Sequence, residues 1–310
     1  MESIKVFAPA TVANVACGFD VLGFALEGLG DELIIQKTKK KGLVITKIHG
    51  SDHLSKATDE NVVTVAAQAL IDSLTDKPEY GFEFELTKKV QPGSGLGSSA
   101  SSSAAAVFGV NELLGAPYSR TELVQFAMEG ERLASGIPHA DNVGPSILGG
   151  FILIRSYDPL DVVQLDYPRD LYAAIVHPQI EIKTADAKKI LRAQIELKDA
   201  ITQWGNIAGL VSGLAKSDFA LIGRSLQDVV AEPTRGILIP SFAEAKQISA
   251  KNGALGCSIS GSGPSIFALC QGKEVAEKVA KSFKELYEEI GLESYVHISP
   301  INTKGIEILA

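Results

Sequence analysis

Four polar segments and two isolated charges carry residue types that could do chemistry, and each also has a plainer structural reading. The first is Pro92-Gly93-Ser94-Gly95-Leu96-Gly97-Ser98-Ser99-Ala100. At the start of a helix, its first-turn amides and the positive dipole end would suit phosphate oxygens. Glycines there would admit the anion without Cβ obstruction, and the hydroxyls of Ser98 and Ser99 could complete a phosphate's shell or hold a magnesium ion. No Gly-Lys-Ser/Thr follows, so this is not a Walker A loop, and glycines spaced by two miss the dinucleotide fingerprint. The same small residues would serve a helix packed close against a sheet. The second segment, Pro138-His139-Ala140-Asp141-Asn142-Val143-Gly144-Pro145, offers an acid that could orient or deprotonate a hydroxyl and a histidine that could bond a substrate. It could equally be an Asx-type turn. Asn14 and Asp20 could hold a polar ligand or shape a turn, and Ser258 to Ser265 reads as a tight turn or a ligand loop. Glu131 and Arg235 are residues that are ordinarily solvated surface charges.

The elements around these residues follow from periodicity. Residues 3–8, 31–37, 43–48 and 82–90 read as strands, the run Phe82-Glu83-Phe84-Glu85-Leu86 alternating with the period of a half-buried strand. Apolar spacing predicts a helix from about Val62 to Leu74 after Asp59-Glu60-Asn61. Thirteen of the fourteen residues from Gly93 to Ala106 are Gly, Ser or Ala. They run on into Val107-Phe108 and Leu113-Leu114 before Gly115 and Pro117, so the glycines form the entry to a helix rather than a free linker. Ser119 with Glu122 three residues later predicts a capping box opening a helix over 119–134. A loop is expected next, then a strand at 150–154, with the domain boundary at Tyr157-Asp158-Pro159. Beyond it, 171–176 and 265–269 read as strands, and 184–215, 217–231, 241–252 and 273–290 as helical. Interleaved elements in both halves give an α+β or mixed class, and no internal repeat is visible.

A chain of 310 residues favours two packed domains. With 45% hydrophobic and 21% charged residues it has a globular composition. A net charge of −8 argues against a nucleic-acid or anionic-membrane partner, because both need clustered Lys and Arg. Cys17, Cys257 and Cys270 have neither metal-ligand nor redox spacing, and their odd number suits a reducing compartment. No run is long and apolar enough to span a membrane, and the start of the chain lacks signal-peptide regions. Cytoplasm is the expected location.

The order of these segments carries more than any one of them. Asn14…Gly18-Phe19-Asp20, then Pro92 to Ser99, then His139-Ala140-Asp141-Asn142, then Ser260-Gly261-Ser262-Gly263-Pro264-Ser265 resembles the GHMP kinases. The Gly-Phe-Asp, His-Ala-Asp-Asn and Glu232-Pro233-Thr234-Arg235-Gly236 elements are similar to their homoserine-kinase branch, and the likeness runs from about residue 4 to 300. The resemblance implies a two-domain fold. Residues 1–157 would be a nucleotide-binding domain with a left-handed βαβ unit, although parallel crossovers are ordinarily right-handed, and 158–310 a ferredoxin-like domain. It implies ATP-dependent phosphorylation of the side-chain hydroxyl of L-homoserine by a homodimer. The phosphates would be cradled by Pro92, Gly93, Ser94, Gly95, Leu96, Gly97, Ser98, Ser99, Ala100, Ser101 and Ser102, and Mg²⁺ held by Ser99 and Glu131. Asn14, Asp20, His139, Asn142, Thr184, Lys188 and Arg235 would line the amino-acid pocket, with Asp141 as base beside Asn142 and Asn14. Lys188 stands where the family pattern has a second arginine; it keeps the charge but not the two-toothed grip on a carboxylate. A GHMP kinase for another small alcohol, or a ligand sensor without turnover, are the alternatives.

Overall fold

In the computed structural model, which describes residues 2–182, 187 and 189–309, the N-terminal half is built on an antiparallel pair of long strands. β1 (Ser3–Ala13) turns its alternate residues Ile4, Val6 and Ala8 inward. It pairs with β2 (Leu22–Thr38), which pairs in turn with β4 (Gly81–Thr87). β3 (Leu43–His49) lies parallel to β4, joined through α1 (Val62–Ser73) in a βαβ unit. β5 (Phe151–Tyr157) adds to β2 and forms a hairpin with β6 (Leu160–Leu165), and β11 (Glu307–Leu309) adds to β1. Tyr157-Asp158-Pro159 is therefore the turn of a hairpin inside this seven-stranded sheet, and the second sheet begins at Leu171.

Helices α1, α2 (Ser98–Leu113), α3 (Arg120–Ser135) and α4 (Ala140–Leu148) share a core with this sheet, in which Leu33, Ile35, Phe82 and Phe84 meet Val63, Leu70, Val107 and Leu123. The small residues of α2 let it lie almost wholly buried, Gly109 sitting where a Cβ would strike Ile35. Ser119 and Glu122 form the expected capping box of α3, each bonding the other's backbone N–H.

The second sheet has the order β10 (Ser294–Pro300), β7 (Leu171–Pro178), β9 (Ile266–Gln271), β8 (Gly256–Ile259), with every pair antiparallel. Between β7 and β8 come α5 (Leu197–Lys216), α6 (Phe219–Ser225), the single turn α7 (Glu232–Arg235) and α8 (Phe242–Lys251); α9 (Lys273–Glu289) joins β9 to β10. This β-α-β-β-α-β plan with its strands ordered fourth, first, third, second is ferredoxin-like. The two sheets share a middle cluster in which Phe24 packs against Phe151 and Phe267, with Leu171, Leu210 and Leu269 around them. Among the described residues no helix is long and apolar enough to cross a membrane, and the three cysteines are free and buried.

Two local expectations change. The loop expected after residue 134 is helical from Ala140 to Leu148 although it contains Gly144 and Pro145. Pro145 cannot donate to the carbonyl of Asp141 four residues earlier. Gly23 of β2 passes so close to that carbonyl that a Cβ there would lie 1.9 Å from it. The helix expected over 217–231 stops at Ser225, because Asp228 draws the N–H groups of Val230, Ala231 and Glu232 onto its carboxylate and starts α7 instead.

Candidate active site

Between the two sheets opens a cleft of about 470 Å³. Its wall includes Asn14, Asp20, Gly95, Gly97, Ser99, Glu131, His139, Asp141, Asn142 and Arg235, residues from five stretches of chain.

The glycine segment enters α2 through three residues of positive φ, Gly93 (74°), Gly95 (80°) and Gly97 (66°). Gly97 is the N-cap and gives no side-chain cap, so the amides of Ser98 and Ser99 open the helix on the cleft wall without intrahelical acceptors. The glycines also make room for protein. A Cβ on Gly95 would lie 2.6 Å from the Ser260 carbonyl, and one on Gly97 2.1 Å from Thr11 Oγ1 and 2.8 Å from Asn142 Oδ1. Gly97→Ala is therefore expected to combine a left-handed strain of about 1–2 kcal/mol with overpacking of about 1–3 kcal/mol. A thermal melt should read this as a clearly lowered Tm.

The serines divide by partner. Ser98 donates its hydroxyl to Val90 O, Ser101 to Ala8 O and Ser102 to Asp31 Oδ2. Ser99 has no hydrogen-bond partner among the described residues and lines the cleft. Of the other residues expected to cradle phosphate, Pro92 and Gly93 line the cleft too, whereas Ser94, Leu96, Ala100 and Ser101 are buried. Ser94 O accepts from Ser265 N, Ser260 Oγ donates to Gly95 O, and Leu96 O accepts from Thr11 N. The second sheet's turn thus clasps the glycine segment.

Glu131 reaches the cleft because Leu123, Ala127 and Glu131 recur every fourth residue along the inward face of α3. Gly130 beside it lets α3 approach α2 closely, with Ser103 Oγ where a Cβ would stand. Asp141 and Asn142 sit in the first turn of α4, whose N-cap is His139. Asp141 is 2% exposed, and its Oδ1 has no hydrogen-bond partner among the described residues. Burial first, then the charges of Asp20 and Glu131, push its carboxyl well above the ordinary carboxylate range, against the lowering by the Asp141 and Asn142 backbone N–H groups. Thr11 donates its hydroxyl to Asn142 Oδ1 at 2.7 Å, fixing that amide.

The turn between β1 and β2 places Asn14, Val15, Ala16 and Asp20 at positive φ, a strained arrangement for a β-branched residue such as Val15. Asn14 holds it, donating through Nδ2 to Gly261 O and accepting from Asp20 N. The Asp20 carboxylate lies 3.6 Å from His139 Nδ1. Tyr157 donates its hydroxyl to Asp20 O and accepts from Ala140 N, tying this turn to the start of α4.

Arg235 is 4% exposed. It donates to Ala187 O and Gly261 O, and its guanidinium stacks 5.0 Å from the centre of the Phe19 ring. Burial lowers its pKa, opposed by Asp20, Asp228 and Asp141. Gln203 bonds both Cys17 O and Asp228 Oδ1, which fixes the cap of α7 and so the root of Arg235. Thr184 and Lys188 lie outside the described residues.

Sequence reasoning missed Lys88, Asp31 and Thr11, and also the apolar wall of Leu54, Val62 and Leu86. Period would have found the two charges. Lys88 is in phase with the inward Phe82, Phe84 and Leu86, and Asp31 with Leu33 and Ile35. Charges on a buried face need partners.

Comparison with known proteins adds relatives to this geometry. The GHMP kinases N-terminal domain matches residues 61–150 and the GHMP kinases C-terminal domain residues 210–289. A homoserine kinase from Chloroherpeton thalassium is 46% identical and one from Chlorobium phaeobacteroides 47% identical, each over the full length of both chains. The crystal structure of homoserine kinase from Cytophaga hutchinsonii matches at a TM-score of 0.96 and 51% identity, covering 100% of this chain and 98% of that one.

Proposed function

Because the chain belongs to the GHMP kinase family, in company with the homoserine kinases, we propose that it transfers the γ-phosphate of ATP to the side-chain hydroxyl of L-homoserine. The observation that supports this most is the single cleft in which the uncapped start of α2, an Asp141 oxygen with no partner among the described residues and the guanidinium of Arg235 meet.

In this reading the amides at the start of α2 and the Ser99 hydroxyl receive the phosphates, and Leu54, Val62 and Leu86 suit a purine. Ser99 and the buried Glu131 present an alcohol oxygen and a carboxylate, the hard donors that magnesium takes. Among the described residues no three carboxylates, histidines or cysteines cluster to hold a metal, so Mg²⁺ held there would draw its other ligands from phosphate and water. Bound, it would offset charge on the phosphate oxygens.

Arg235 takes the α-carboxylate of the substrate, while Asp20 or the Asn14 side-chain oxygen meets its ammonium. Asp141 receives the hydroxyl proton, and Asn142, fixed by Thr11, orients the reacting groups. His139 lies beside Asp20 at the rim of the same pocket. Alignment and charge neutralisation supply most of the rate. A cytoplasmic homodimer belongs to the same reading, as does a division into two domains, 1–157 and 158–310; sedimentation tests the dimer.

The test is an ADP-release assay with Mg-ATP and L-homoserine beside L-serine, L-threonine and mevalonate. Homoserine should be turned over best. A preference for mevalonate would move the chain to another branch of the family, and ATP binding without ADP formation would make it a sensor.

A further inference from the structure

Lys88 and Arg235 are the cations on the cleft wall among the described residues, and only Lys88 lies beside the glycine segment. A lysine there invites assignment as a phosphate ligand. Its surroundings argue otherwise. The side chain is 3% exposed and its partner Asp31 is wholly buried. The ammonium has three protons, and all three have protein acceptors: Asp31 Oδ2 at 2.5 Å, the Ser98 carbonyl at 2.5 Å and Ser102 Oγ at 2.9 Å. The Asp31 carboxylate is equally full, accepting also from Ser102 Oγ and from the N–H groups of Lys89 and Val90. Ser98 and Ser102 are the first and fifth residues of α2, and Asp31 lies across from Lys88 where the β2–β4 register, which pairs Glu32 with Thr87, runs on by one residue.

We infer that Lys88 and Asp31 form a buried positioning pair. It pins the first turn of α2 to the sheet, and the ammonium donates nothing to ATP. Resting on the kinase reading, this deepens it: phosphate charge is met by the amides of α2, Ser99 and the metal, with no lysine of the described residues in the phosphate site. The pair acts through the helix, so Lys88 is a positioning residue.

The arrangement can be tested by a cycle of Lys88→Met, Asp31→Asn and the double variant, with ATP affinity by calorimetry and KM for each substrate. Lys88→Met alone leaves a buried carboxylate without its cation, which is strongly destabilising. It is expected to lower Tm and weaken ATP binding by about tenfold or more. The double variant removes both charges and keeps an amide oxygen for the N–H groups of Lys89 and Val90. It should recover ATP affinity to within about threefold of the parent protein, in line with the near-neutral replacement of buried pairs, with the homoserine KM unchanged. A double variant that folds yet binds ATP as weakly as Lys88→Met would overturn the inference, because it would make the ammonium a nucleotide ligand. Should Lys88→Met fail to fold, the ζ-nitrogen NMR resonance of Lys88 in the parent protein decides. It should hold its position when ATP is added, and a large displacement would overturn the inference. A parent protein that binds no ATP would instead sink the kinase reading itself.

Discussion

Asp141→Asn is expected to lower kcat about a hundredfold or more, the range for losing a general base, while making the ligand-free protein harder to unfold at neutral pH. Both effects come from one carboxyl, 2% exposed, with an oxygen that has no partner among the described residues and with Asp20 and Glu131 as like-charged neighbours. Its folded-state pKa is raised above the unfolded value of about 3.9. Between those two values the unfolded chain has released the proton that the folded chain retains. Stability therefore falls as pH rises through that window. The neutral amide carries no such penalty. Melts of parent and variant should nearly coincide near about pH 4 and separate in the variant's favour as pH rises. Activity should run the opposite way. The parent's kcat/KM should climb with pH as Asp141 loses its proton, and the variant should lack that limb. A variant with a near-normal rate would remove Asp141 from proton transfer and leave it an orienting role.

The second large effect belongs to Arg235. Arg235→Lys should raise the KM for homoserine about tenfold or more, since a point charge cannot reproduce a forked grip on a carboxylate, and should leave the KM for ATP nearly unchanged. The amino alcohol that lacks the α-carboxylate gives the control. The parent should prefer homoserine strongly over it, and Arg235→Met should lose most of that preference. Arg235→Met also removes the guanidinium that faces Asp20, Asp141 and Asp228, so the Asp141-dependent limb of the pH profile should move to higher pH. If Arg235→Met kept the homoserine preference, the carboxylate would have to be held elsewhere on the wall.

Much of this site was legible because the chemistry of each segment is local. The glycines from Gly93 to Gly97 announce the entry to a helix, and Ser119 with Glu122 announces a capped start; the structure has both. What escaped was set by distant partners. Nothing near residue 145 signals that the carbonyl its proline leaves bare lies against Gly23, far off in β2. Nothing near Asp228 signals that it caps α7 while Gln203 holds it from another helix. The local reading of Ser98 as a free hydroxyl fails to foresee Val90 O as its acceptor. Lys88 and Asp31 were within reach of a period-two count but were hidden by the charged residues beside each of them, which face outward.

The clasp of the Ser260–Ser265 turn on the glycine segment bears on how the protein comes into being. Gly95 O and Ser94 O take their bonds from residues far later in the chain, and Asn14 takes Gly261 O in the same way. A nascent chain that has left the ribosome through α8 holds almost every group that could touch a triphosphate, yet lacks the turn that clasps the glycine segment. Competence should arrive late and at once, when the last fifth of the polypeptide emerges. Fragments cut before that turn should be inert toward ATP, and adding the missing piece in trans is the way to restore them.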